Sequence, residues 1–342
     1  MQKAAPDPFP LPKEAGEYIL EITFRLAENT PFAEAGHIVS VNQIVWGEYT
    51  EAAPAAGAPT VAEGDVNIGL PGKDFSILYG KDKHGLTSIC KAEMELLCGV
   101  PRPNFWRAPT DNDYGWGMPH HCAAWKTASL YALPESESIE RLEDSLQIET
   151  AYRFPGGGEN GCTLSYRFFG GGEIEVRLSL TGCADFGPMP DFGLLLRLPG
   201  TFDRLSWYGR GPGENYCDRK VGSPLGLYES VAAAELQPYL LPQECGNHTD
   251  TRWLTVQNAD GRGLRFRAVS GNFDFSVLPY TPHELEAAAH PNELPPPLYT
   301  VVRLSAGEMG VGGDDSWGAR PLSAFLPEAI ERPDFVFRIT PV

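Results

Sequence analysis

Leu146-Gln-Ile-Glu-Thr-Ala-Tyr-Arg-Phe154, Cys162-Thr-Leu-Ser-Tyr-Arg-Phe-Phe-Gly170 and Glu173-Ile-Glu-Val-Arg-Leu-Ser-Leu-Thr-Gly182 follow one another with only Gly- and Pro-rich breaks between them. Runs of this length, rich in β-branched and aromatic residues and closed by Gly and Pro, read as β-strands joined by tight turns. The same signature recurs outward at 75–80 (FSILYG), 192–200 (FGLLLRLPG), 204–209 (RLSWYG), 253–261 (WLTVQNADG), 264–271 (LRFRAVSG), 299–307 (YTVVRLSAG) and 334–342 (DFVFRITPV). Almost no stretch keeps helical periodicity for three turns; 123–130 (AAWKTASL) is expected as a short helix. The expectation is an all-β fold, a large antiparallel sandwich over residues 65–342. Its 37 glycines and 31 prolines agree with many short strands and turns.

Toward the N-terminus, 17–28 (EYILEITFRLAE) and 37–46 (HIVSVNQIVW) alternate apolar and polar side chains, the period of half-buried strands. Two strands cannot bury an apolar face alone. Residues 1–48 are therefore expected to be the last strands of a sandwich whose earlier strands precede them, leaving Ile19, Ile22, Phe24, Ile38 and Val45 without a partner sheet. Residues 49–64 (YTEAAPAAGAPTVAEG) have the composition of a linker.

The 342 residues carry a formal net charge of −18 with no local Lys/Arg cluster, which makes nucleic acid a poor partner. No apolar run approaches the length of a membrane span and MQKAAPDPFP contains no signal-peptide core, so a soluble, cytoplasmic chain without membrane contact is expected. Seven cysteines at irregular spacing, without a CxxC pair, read as reduced thiols. Self-association into a homo-oligomer stays open.

Four segments in this order resemble the end of glycoside hydrolase family 2 β-galactosidases. They are Phe32-Ala-Glu-Ala-Gly-His37, Asn104-Phe-Trp-Arg-Ala-Pro-Thr-Asp-Asn-Asp113, Tyr208-Gly-Arg-Gly-Pro-Gly-Glu-Asn-Tyr-Cys-Asp-Arg219 and Met309-Gly-Val-Gly-Gly-Asp-Asp-Ser-Trp317. The resemblance implies that residues 1–48 end an immunoglobulin-like domain and that 65–342 are a supersandwich of the galactose mutarotase type. In some bacteria such a piece is a separate small subunit. It implies a partner, the catalytic barrel portion or large subunit, and a substrate class, β-D-galactosides such as lactose. Retaining glycosidases need two carboxyl groups roughly 5 Å apart; in this family both come from the barrel, as do the magnesium ligands. No catalytic residue, cofactor or metal is therefore expected in this chain, and alone it should be inactive.

Two residues are the candidate substrate-contacting positions. Trp317 follows two glycines and two acids, a composition suited to a loop that offers an indole face to a sugar, or alternatively to a tight turn on a buried anchor; in the family the matching tryptophan reaches the barrel's active site. Gly115 matches the start of a mobile loop that closes over substrate, although the run Trp116–Trp125 is shorter than in the best-known member. Asp314 and Asp315 read as acceptors for loop N–H groups rather than catalytic acids. Gly209–Arg219 lacks the lysine and helix of a phosphate loop, and Glu214, Asp218 and Arg219 are expected to satisfy one another. Gln243–Trp253 either lines a groove or bridges two strands.

Two other functions compete. A stand-alone aldose epimerase would need a base and an acid across an anomeric hydroxyl, for which only His248, beside Glu244 and Asp250, is placed. A carbohydrate-binding module would bind sugar without a partner.

Overall fold

The computed structural model describes residues 12, 14–50, 57–269, 271–315, 317–329 and 332–342. The chain divides into two units, the first ending at residue 53 and the second beginning at 54. Residues 51–56 of the expected linker lie outside the described residues; its far end, Ala62–Glu63, is already an edge strand of the second unit.

In the first unit Tyr18–Arg25 pairs antiparallel with Ile38–Trp46, with Tyr18 opposite Trp46 and their rings stacked at 5.7 Å. The register, Ile22 opposite Asn42 and Ile19 opposite Val45, puts the apolar residues on both faces of the ribbon. Ile22, Phe24, Ile38, Val41 and Val45 are all exposed.

Among the described residues the second unit holds three sheets, all antiparallel. The largest runs, edge to edge, through Leu225–Val231, Arg204–Arg210, Trp253–Gln257, Gly263–Ala268, Phe335–Pro341, Ile174–Thr181, Gly161–Phe169, Ser145–Arg153 and Leu133–Arg141. The runs 146–154, 162–170 and 173–182 are thus neighbours, with Ile148 opposite Tyr166 and Tyr166 opposite Val176. The C-terminal strand enters mid-sheet, pairing on one side with Ile174–Thr181 and on the other with Gly263–Ala268. A second sheet orders Asn247–Thr251, Phe273–Leu278, Tyr299–Glu308, Asp191–Pro199 and Arg102–Asn104. It faces the first through a shared core in which Trp207 meets Phe275 edge-on at 5.7 Å. A smaller sheet, Ala62–Glu63 to Met94–Glu95, joins the same core through Ile77, Tyr79 and Ile89. The fold is the all-β sandwich expected. Among the described residues no helix is long and apolar enough to cross a membrane.

One stretch departs from the expected loop. Asp111–Trp116 and Met118–His121 form two short helices ahead of the expected one, which spans Ala123–Tyr131. The cause is local. Thr110 and Asp113 make a reciprocal capping box, Gly117 takes a left-handed φ of 79° that ends the first helix, and Pro119 suits the first turn of the second. These cap signals extend over six residues or fewer and leave too little apolar periodicity to register as a helix in sequence.

Candidate functional site

The Met309–Trp317 segment leaves the buried strand Tyr299–Glu308 and turns outward. Met309 is fully buried, whereas Trp317 is 87% exposed. Gly312 and Gly313 adopt φ of 66° and 113°, backbone that a side-chain-bearing residue enters only under strain. Beyond them Asp315 Oδ1 accepts from the backbone N–H groups of Trp317 (2.9 Å) and Ala319 (3.0 Å), and these bonds hold its carboxyl below the usual range. Asp315 thus shapes the turn that carries the indole. Burial of Trp317 as an anchor is excluded within this chain.

The candidate positions meet through their backbones. A Cβ on Gly115 would lie 3.1 Å from the Gly318 Cα, and one on Gly318, at φ 111°, would lie 2.5 Å from the Gly115 carbonyl oxygen. Gly115 sits inside the Asp111–Trp116 helix, and what the structure asks of it is close passage of the tryptophan loop rather than positive-φ freedom. Gly117, two residues on, carries that freedom. Asn112 Nδ2 donates to the Val311 carbonyl (3.2 Å), and Arg320 lies over the Trp116 ring at 5.1 Å. Neighbouring His121 stacks on Trp116, and Cys122 is buried.

Beneath the loop lies an ion network that sequence reading missed. Arg107 is fully buried and its guanidinium reaches both Asp113 oxygens (2.8 and 3.0 Å), Glu308 (3.4 Å) and the Gly310 carbonyl (3.1 Å). Glu308 also accepts from Arg303 (3.1 Å), which in turn grips Glu244 through two bonds of 2.9 and 2.6 Å. Burial pushes the Glu308 and Glu244 carboxyls up, more than the arginines draw them down. In effect the Asn104–Asp113 segment clamps the base of the tryptophan loop. Asp111, the other acid of that segment, pairs with Gln243. Loop, helix and strand residues far apart in sequence meet here, and the Arg-Ala-Pro-Thr-Asp-Asn-Asp spacing was the one signal that could have hinted at the pair Arg107–Asp113.

The expected self-satisfied set of Glu214, Asp218 and Arg219 is corrected in part. Arg219 does pair with Glu214 (2.6 Å), but Asp218 instead accepts from Gly312 N (2.9 Å), tying the Gly209–Arg219 segment to the tryptophan loop. In the Gln243–Trp253 segment, Glu244 pairs with Arg303 on strand Tyr299–Glu308, and Asn247 and Thr249 bond to Asn215 in the Gly209–Arg219 segment, so much of its polar density ties loop to strand. His248 is fully buried, with Nε2 2.8 Å from Glu235 and Nδ1 3.2 Å from the Arg210 carbonyl. With both ring nitrogens engaged, it offers no base for an epimerase. Among the described residues no group of three or more His, Cys, Asp or Glu could hold a metal ion.

Comparison with known proteins matches the β-galactosidase small-chain family over residues 71–339 and domain 4 of β-galactosidases over 2–47. A β-galactosidase of Halalkalibacterium halodurans is 36% identical over 96% of this chain and 33% of its own length. One from Lactobacillus delbrueckii subsp. bulgaricus is 38% identical over 92% and 31%. The β-galactosidase small subunit of Latilactobacillus sakei is 34% identical over 81% of this chain and 96% of its own. This chain spans about a third of the length of the β-galactosidases that head the curated relatives. Galactose 1-epimerase from Lactobacillus acidophilus NCFM superposes on 80% of the chain at 8% identity with a TM-score of 0.39, too loosely to carry an argument. With about four fifths of its length inside one family model and a small-subunit relative covered almost end to end, the chain belongs to the β-galactosidase small-chain family.

Proposed function

We propose that this chain is the non-catalytic, site-shaping part of a cytoplasmic β-galactosidase that hydrolyses terminal β-D-galactosides such as lactose. It presents Trp317 to the sugar and Gly115 to the closing segment beside it, while a catalytic barrel, on the large subunit or preceding this piece, supplies both carboxylates and the magnesium site. The observation that carries the reading is Trp317 itself, an exposed indole on a loop whose base is clamped by the buried Arg107–Asp113–Glu308 network. An exposed aromatic on a rigid base is costly to keep in water and suited to stacking on the C–H face of a pyranose. The exposed Ile22, Phe24, Ile38 and Val45 supply apolar surface for the rest of the assembly.

The test is complementation. The purified chain should show no turnover of a nitrophenyl β-galactoside, and adding the large-chain portion of a close relative should produce activity and co-elution. Turnover by the chain alone, surviving purification from a host without its own β-galactosidase, would refute the assignment. So would a well-folded chain that neither binds nor activates the large portion. Saturable galactose binding by the isolated chain would favour a carbohydrate-binding module instead.

A further inference from the structure

The edge strand Arg102–Asn104 pairs with Asp191–Pro199 in a register that sets Arg102 opposite Leu195. Directly opposed residues of an antiparallel pair share a face, and so do residues two apart on a strand. Arg102 and Arg197 therefore stand as diagonal neighbours on one side of the sheet, while Pro103, Leu194 and Leu196 turn into the core. Both arginines line a pocket of about 330 Å³, within the size of small-molecule sites, together with Tyr152, Leu195 and His283.

What sets this pocket apart is its charge. The protein carries 45 acidic and 27 basic residues, and most of its well-placed arginines, such as Arg107, Arg167, Arg303 and Arg338, sit on carboxylates. Arg102 has no hydrogen-bond or ion-pair partner among the described residues. Arg197 forms no salt bridge among the described residues; its guanidinium lies over the Tyr299 ring at 5.0 Å and its charge reaches Glu284, whose carboxyl it helps to hold low. The carboxylates nearest the pocket are taken. Glu284 accepts from Thr281 and Tyr299, and Glu286 from Trp106 and Lys126. His283 adds a buried Nδ1 with no partner. Two like charges held side by side on one sheet face repel, an arrangement that a bound anion would relieve.

We propose that this pocket binds a small organic phosphate ester, its phosphate clasped between Arg102 and Arg197 and its carbon skeleton lying against Tyr152 and Leu195. Two guanidinium forks and an imidazole nitrogen offer more donors than the two oxygens of a carboxylate can take up, and a phosphate monoester presents three oxygens with up to two charges. The apolar floor favours an ester over the free ion.

The experiment is calorimetric titration of the full chain with inorganic phosphate, phenyl phosphate and benzoate at fixed ionic strength. Phenyl phosphate is expected to bind saturably and more tightly than inorganic phosphate, and benzoate more weakly than either. R102Q and R197Q should each weaken phenyl phosphate roughly tenfold or more, the loss expected for one charge-assisted contact. Arg102 makes no hydrogen bond or ion pair among the described residues, so R102Q should leave folding intact. An unaltered thermal midpoint confirms the same for R197Q, and R197K, which retains charge but not the fork, should fall between. Absence of saturable binding, an affinity indifferent to R102Q, or a preference for benzoate would overturn the proposal.

Discussion

Replacing Trp317 with alanine separates a sugar platform from a structural anchor, because the two predict opposite readouts. In this chain the indole is 87% exposed, leaving about 13% of it covered. For a tryptophan burying at most ~250 Å² that is ~30 Å², which at ~25 cal/mol per Å² stabilises the fold by less than ~1 kcal/mol. The Asp315 acceptor and the glycines that shape the turn are untouched by the substitution. Urea denaturation of the isolated Trp317→Ala chain should therefore give a midpoint close to that of the parent. In the assembled enzyme the same change removes a stacking face worth ~1–3 kcal/mol, a 5- to 150-fold effect, and places it on sugar binding. KM and the inhibition constant for galactose should rise more than kcat falls, since stacking moves no proton. A stability loss of ~3–5 kcal/mol, as for a buried tryptophan, together with unaltered kinetics would refute the reasoning.

Three further outcomes follow from the geometry. Gly318→Ala puts a Cβ 2.5 Å from the Gly115 carbonyl oxygen at φ 111°, so the loop should lift off its helix, with ~1–3 kcal/mol of strain and faster proteolysis near residue 318; an unchanged cleavage rate would contradict that contact. Arg107→Met leaves Asp113 and Glu308 buried without their shared counter-charge and should cost ~3–5 kcal/mol, checked by chemical denaturation; a neutral result would mean that the two carboxyls take up protons at little cost. Burial, then the Asp250 carboxylate, pushes Asp274 up to about 7. Because the folded chain then holds a proton that the unfolded chain has released, this group's contribution to stability declines as pH rises from about 4 to 7 and is flat above. Asp274→Asn should match the parent near pH 4 and exceed it by roughly 1–3 kcal/mol at pH 8, allowing for the carboxyl's partial exposure to solvent. A pH-independent difference would exclude Asp274 as the titrating group.

Much of the architecture was legible before any coordinates. The runs 146–154, 162–170 and 173–182 advertise strands because their composition and punctuation are local properties of ten residues or fewer. The pairing of 17–28 with 37–46 follows from their alternation and nearness in sequence, and the helix at 123–130 appears with one residue added at its end. The Gly-Gly-Asp-Asp-Ser-Trp composition announced a turn, and Asp315 fills the backbone-acceptor role that its residue type suits.

Tertiary structure decided the rest. Whether Trp317 stood exposed or buried was undetermined by composition, and only the path of the Met309–Trp317 segment away from the sheet settles it. Asp218 could have closed on its neighbour Arg219; it meets Gly312, 94 residues away, because the chain folds that loop over it. Arg107 finds Glu308 across 201 residues and Arg303 finds Glu244 across 59, distances over which no periodicity carries information. The final strand inserts between Ile174–Thr181 and Gly263–Ala268 for a similar reason. Strand propensity and turn chemistry act between near neighbours, so they are written in the sequence. The choice of sheet partner and the pairing of buried charge depend on which surfaces close together against water, a property of the whole fold.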